Sequence, residues 1–127
     1  NFITIDEEIK TSSHYTINKH IMRRPKILLP DNQLIPAIWI DNKNSVIGFA
    51  DKSFCHVFDI SEIVSITIQN VLPAKGGGYS CLELTIRGES VNYEVYMGAC
   101  HIFDLYKKKI EELTGLEVIM APEYYNC

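Results

Sequence analysis

Two Cys-His pairs, Cys55-His56 and Cys100-His101, have the widest chemical reach in this sequence. A zinc centre of the Cys2His2 kind would need all four side chains to converge tetrahedrally. If residues 54–58 form a strand, Cys55 and His56 point to opposite faces and cannot easily serve one ion. Buried thiols with surface histidines are therefore expected, and no metal site is assigned. The other reading is a thiol nucleophile. Cys100 falls near the start of a predicted helix, where a thiol pKa can drop, with His101 beside it and Asp104 further along. Nothing in the sequence fixes a third group, so no catalytic residue and no cofactor are assigned, and no enzyme is expected.

The remaining candidates concern anions and surfaces. Lys75-Gly76-Gly77-Gly78 lacks the GxxxxGK[ST] frame of a phosphate loop and leads into a strand, so it reads as a mobile hairpin loop. Lys19, His20, Arg23, Arg24 and Lys26 form the one strong basic cluster. Of these, Lys19, Arg23, Arg24 and Lys26 are the candidate interaction surface. They could meet an acidic protein, or an anionic membrane at about 1 kcal/mol per charge. Lys107-Lys108-Lys109 with Glu111-Glu112 reads as a solvated helix face with local ion pairs. Trp39, Tyr93 and Tyr106 read as core.

Composition sets the frame for these groups. The 127 residues are 46% hydrophobic and 22% charged, with a net charge of -4. That length can bury a core in one domain. The acidic balance argues against duplex nucleic acid, which is held by many Lys and Arg contacts to phosphate. No apolar run approaches the roughly 20 residues that span a bilayer. The four cysteines are widely and irregularly spaced, which does not suggest a disulfide framework. The chain begins at Asn1 without Met and shows no signal peptide, so a removed native N-terminus is expected. The expected location is the cytoplasm or the cytoplasmic face of a membrane, with an upstream anchor or signal left open.

Periodicity supplies the positioning elements. Ile5 and Ile9 allow a short helix near 6–10, and Ile27-Leu28-Leu29 a short strand. From residue 34 the pattern clears into strands at 35–41 and 45–50, joined by Asp41-Asn42-Lys43-Asn44, then at 54–58 and 63–72. In 63–72, Val64, Ile66 and Ile68 alternate with Ser65, Thr67 and Gln69. Residues 79–87 alternate likewise, with Leu82, Leu84 and Ile86 inward and Glu83, Thr85 and Arg87 outward. In 91–97, Val91, Tyr93, Val95 and Met97 are expected inward, and Asn92, Glu94 and Tyr96 outward. From residue 99 to 114 the period becomes helical, with Ile102, Phe103, Tyr106, Ile110 and Leu113 on one face and Gly115 as the stop. Residues 116–120 can add a short strand.

The order implies a mostly β (α+β by count) chain of six or so antiparallel strands in a strongly bent sheet, plugged by one C-terminal amphipathic helix. Residues 37–49 (AIWIDNKNSVIGF) and 58–66 (FDISEIVSI) resemble the first hairpin and following turn of bacterial pleckstrin-homology-like domains. The resemblance spans about 34–116. Within that superfamily the chain is most similar to small bacterial proteins, often found near mobile elements. It implies a bent antiparallel sandwich or partly open barrel of about seven strands capped by that helix, with the domain at 34–120, an N-terminal extension or first strands at 1–33, and a tail at 121–127. It also implies a non-enzymatic binding or scaffolding role, with a protein partner or a second copy of the chain, no nucleic acid, and a membrane surface as the alternative.

Overall fold

The computed structural model describes residues 2–5, 9–11, 20–23, 35–51 and 54–127, with backbone alone for 9–11 and 21–23. Among them are eleven strands. They are β1 (Phe2–Thr4), β2 (Ile9–Thr11), β3 (Ile21–Arg23), β4 (Ala37–Asp41), β5 (Val46–Ala50), β6 (Phe54–Asp59), β7 (Ile63–Leu72), β8 (Tyr79–Ile86), β9 (Tyr93–Gly98), β10 (Val118–Met120) and β11 (Tyr124–Tyr125). The one α-helix, α1, is Lys107–Thr114. Sheet A runs β1-β4-β5-β6-β3, and sheet B runs β10-β7-β8-β9-β2 with β11 also on β7. The protein is thus mostly β, two sheets packed face to face, with one short helix near the C-terminal end.

The turns explain the strand limits. Asp41 accepts the backbone N–H of Lys43 and Asn44 and the side-chain amide of Asn44, which folds the β4–β5 turn. Those bonds, the Asn44 amide first, hold the Asp41 carboxyl below its ordinary value. Between β6 and β7, Asp59 and Glu62 form a capping box around one 3-10 turn. The two-residue alternation then fills one core with Ile38, Ile47, Phe49 and Phe58 of sheet A against Ile66, Ile68, Leu82 and Leu84 of sheet B.

Helix α1 packs against β1, β4 and β10, so it closes the side of the sandwich where the two sheets part. Phe103 and Ile110 are fully buried, and Tyr106, Ile102 and Leu113 pack on the same core. The expected apolar face is therefore correct, but the helix starts later. Residues before it form turns and a 3-10 segment, Asp104–Tyr106. The cause is His101, held at φ 67 in the left-handed region while its N–H donates to the Asn70 side chain at 2.9 Å. A regular helix cannot pass through that residue.

Four further expectations need correction. Ile9–Thr11 is a strand paired to β9, so no helix reaches residue 9. Val64 is 49% exposed, because a bulge between Ile63 and Ser65 shifts the phase of β7 at its start. Val91 lies outside β9 and is 78% exposed. A second bulge sets Leu82 opposite Tyr96 but Glu83 opposite Glu94, leaving Val95 as the extra residue. Val95 and Tyr96 consequently both bury, and Met97 turns outward. Strands β10 and β11 run parallel to β7, since the chain returns through α1 before pairing.

Candidate functional sites

β9 sends two tyrosines across the sandwich. The Tyr96 hydroxyl donates to the Ala50 carbonyl at 2.7 Å, with the Ala37 carbonyl at 3.2 Å. The Tyr93 hydroxyl lies 2.6 Å from His56 Nδ1. His56 is buried, and burial pushes its pKa down to about 4, with His20 lowering it further and Asp51 opposing. His20 stacks on Phe58 with ring centres 4.2 Å apart and its Nδ1 is 3.1 Å from the Val57 carbonyl. His56, expected at the surface, is thus an interior group kept neutral at ordinary pH.

The two Cys-His pairs do not converge. Cys55 is buried with Trp39 and Ala50 on the outer face of sheet A, whereas His56 faces Tyr93 inside. Cys100 Sγ lies 3.5 Å from His101 Nδ1, and His101 Nε2 lies 2.5 Å from Glu123 Oε2. The third group that the sequence did not reveal is Glu123, 22 residues away. Asp104 instead accepts from the Asn70 amide. This thiol–imidazole–carboxylate row has the reach of a nucleophile, a base and an orienting acid. Its electrostatics run the other way. Burial, Glu123 and Asp104 all raise the Cys100 thiol above its ordinary value, and His101 and Glu123 are both well exposed. The row links residue 123 to the turn at His101.

Among the described residues, a different set gathers metal-type donors. Cys81, Glu83 and Glu94 bring one ligand atom each to within 4.8 Å of one another. They sit on the outer face of sheet B, where Cys81 is 4% exposed and the two acids are partly buried. Burial first, then Glu94 and Glu83, push the Cys81 thiol up to about 12. Asn92 donates to Glu83 at 3.3 Å and accepts from Thr85 at 3.1 Å. The signal in the sequence was Cys81 and Glu83 two apart on an alternating strand, with Glu94 outward on the next.

Other candidates resolve simply. Residues Ala74 to Gly78 form the β7–β8 hairpin loop, tied by Gly76 N–H to the Asn126 carbonyl and by the Asn126 amide to the Gly77 carbonyl. Lys107 pairs with Glu111 at 3.2 Å and Lys109 lies over the Tyr106 ring, as a helix surface should. Lys19, Arg24 and Lys26 lie outside the described residues. Arg23 ends β3, its backbone opposite Phe54.

The last surface is the edge of sheet B. Ile119, Met120, Tyr124 and Tyr125 are all exposed there. Among the described residues β10 and β11 pair with β7 alone. Val118 N–H donates to the Glu111 carboxylate and Ala121 N–H to the Ile68 carbonyl. By alternation, the Met120 N–H points away from β7. No described helix is long and apolar enough to cross a membrane.

These features define a two-sheet β-sandwich closed by one helix, with an apolar strand edge and two chemically different outer faces. The chain belongs to the PM0294 C-terminal domain family, whose model matches residues 1–125. No solved structure matches it.

Proposed function

We propose that this domain is a non-enzymatic interaction module of bacterial pleckstrin-homology-like type, and that it captures an extended protein segment by strand addition. The carrying observation is the edge of β10 and β11, which joins outward backbone groups to four exposed apolar side chains. Proteins normally blunt such edges with charge, Pro or a covering element. A partner strand satisfies the backbone, and its alternate side chains meet Ile119 and Tyr124. The family's description as a C-terminal domain suits a module carried beside other parts.

Met120→Pro is the test, since it removes an outward donor and leaves the β7 ladder intact. The unsubstituted chain is expected to retain a specific protein partner, or to self-associate in sedimentation equilibrium. Met120→Pro should lose that association with an unchanged melting curve. Equal association in both proteins would overturn the edge. Flotation with anionic vesicles tests the alternative: binding abolished by Arg23→Glu with Arg24→Glu would move the function to the basic cluster of Lys19, Arg23, Arg24 and Lys26.

A further inference from the structure

We propose that the end of the chain, Pro122 to Asn126, is a displaceable strap over a peptide-binding lane on β7, and that the lane accepts in its place an extended segment bearing a carboxylate and, three residues on, a carboxamide. The proposal rests on the reading that sheet B takes an added strand, and it names how part of that edge is regulated. β11 lies parallel to β7, with Tyr124 opposite Val71 and Tyr125 opposite Leu72. Main-chain pairing is generic, but the side chains along it are read one by one. The Gln69 amide donates to the Pro122 carbonyl at 2.9 Å. Glu123 meets His101, and the Tyr124 hydroxyl is hydrogen-bonded to that of Tyr79. The Asn126 N–H donates to the Leu72 carbonyl at 2.8 Å, and its own carbonyl accepts from the Gly76 N–H. Its side-chain amide donates to the Gly77 carbonyl at 2.8 Å.

The receiving loop is shaped for that carboxamide. A Cβ at Gly76 would lie 2.4 Å from Asn126 Nδ2, so glycine leaves room for the seat. His101 is equally committed, because its left-handed backbone, anchored by Asn70, brings the imidazole to residue 123. Burial, by contrast, holds the strap weakly. Tyr124 and Tyr125 are 53% and 63% exposed, and β11 is only 2 residues long. A segment that covers little apolar surface opens at low free-energy cost. Specific polar seats under a loosely held occupant suit peptide capture by strand addition, where the main chain gives affinity and the seats give specificity. Occupancy by the chain's own tail lowers the apparent affinity for a segment in trans by the fraction of time the lane is open.

The full chain carries its own handle for the test. In a Cys100→Ser chain Cys127 is the exposed thiol left, since Cys55 and Cys81 are buried, and it takes a fluorophore at the strap's end. Titration with an unlabelled, amidated synthetic peptide of residues 121–126 should lower the anisotropy to a plateau as the strap is displaced. The Glu123→Gln peptide should act about 10-fold more weakly, the loss of one charge-assisted bond. His101→Asn suits the left-handed backbone and is too short to reach residue 123, so it should erase the difference between the two peptides. Glu123→Gln in the chain itself loosens the strap and should let the unaltered peptide bind about 10-fold more tightly. Met120→Pro should leave the titration unchanged, so that a failed β10 edge and a failed lane read out separately. If His101→Asn does not fold, the comparison of the two peptides on the chain with His101 decides. An anisotropy that stays constant up to millimolar peptide would overturn the strap. So would equal action of the two peptides.

Discussion

The outer faces of the two sheets have the same geometry and opposite chemistry. On sheet A, Cys55 lies buried with Trp39 and Ala50, and Val46 and Val57 pack around them. On sheet B, Cys81 is almost as buried, yet its neighbours are Glu83 and Glu94. Burial alone therefore does not say what a thiol is for. The difference lies in which residues the register sets beside each strand. Sheet A's second face is a small interior, intolerant of added atoms. Sheet B's second face sets a buried thiol beside partly buried carboxylates, so single atoms there change stability little.

The largest expected effect breaks sheet A. Gly48 sits opposite Trp39, and a Cβ at this position would lie 2.1 Å from the indole Cε2. The indole is buried and cannot swing away cheaply. Gly48→Ala should cost about 3 kcal/mol in urea unfolding, the upper range of overpacking. A loss under about 1 kcal/mol would show that this face is not close-packed.

Next comes acid. His56 binds its proton near pH 4 in the fold and near 6.5 when unfolded. The unfolded chain thus takes the proton first. The stability due to neutral His56 is complete above about pH 6.5 and is lost as pH falls toward 4, on the order of 2 kcal/mol. His56→Gln should flatten the stability slope in that window relative to the unsubstituted protein. An identical slope would mean that other groups carry it.

Tyr96→Phe is a smaller break, at the link between the sheets. It strips the buried Ala50 carbonyl of its donor at 2.7 Å and should cost about 1.5 kcal/mol, read as a lower urea midpoint with unchanged slope. A neutral result would mean that this bond adds nothing to the apolar packing and the Tyr93–His56 contact between the sheets.

What the sequence revealed follows from how local each cause is. Strand β7 was legible from Ile63 to Leu72, because the Asp59–Glu62 box and Pro73 bound it within a few residues. The helix face was legible from the spacing of Phe103 and Ile110. Its start was hidden, because Asn70, 31 residues away, sets the turn at His101. Both bulges were hidden too. Hydrophobic alternation carries no mark of one unpaired residue, so Tyr96 and Met97 exchanged faces. The outward positions of Glu83 and Glu94 were legible on separate strands. That they meet each other and Cys81 depends on register, which one sequence does not print. Glu123 joined His101 for a similar reason: β10 and β11 return along β7 only once α1 has turned the chain.

The smallest effect sharpens the comparison most, because its sign is reversed. Glu83→Gln keeps the shape of the side chain and a carbonyl for the Asn92 amide, while removing one of two opposed charges. It should raise stability by about 0.5 kcal/mol, the scale of one unfavourable cross-strand charge pair, read as a higher urea midpoint. Lower stability of Glu83→Gln would mean that Glu83 and Glu94 already sit in a favourable network, and that the two outer faces differ less than their chemistry implies.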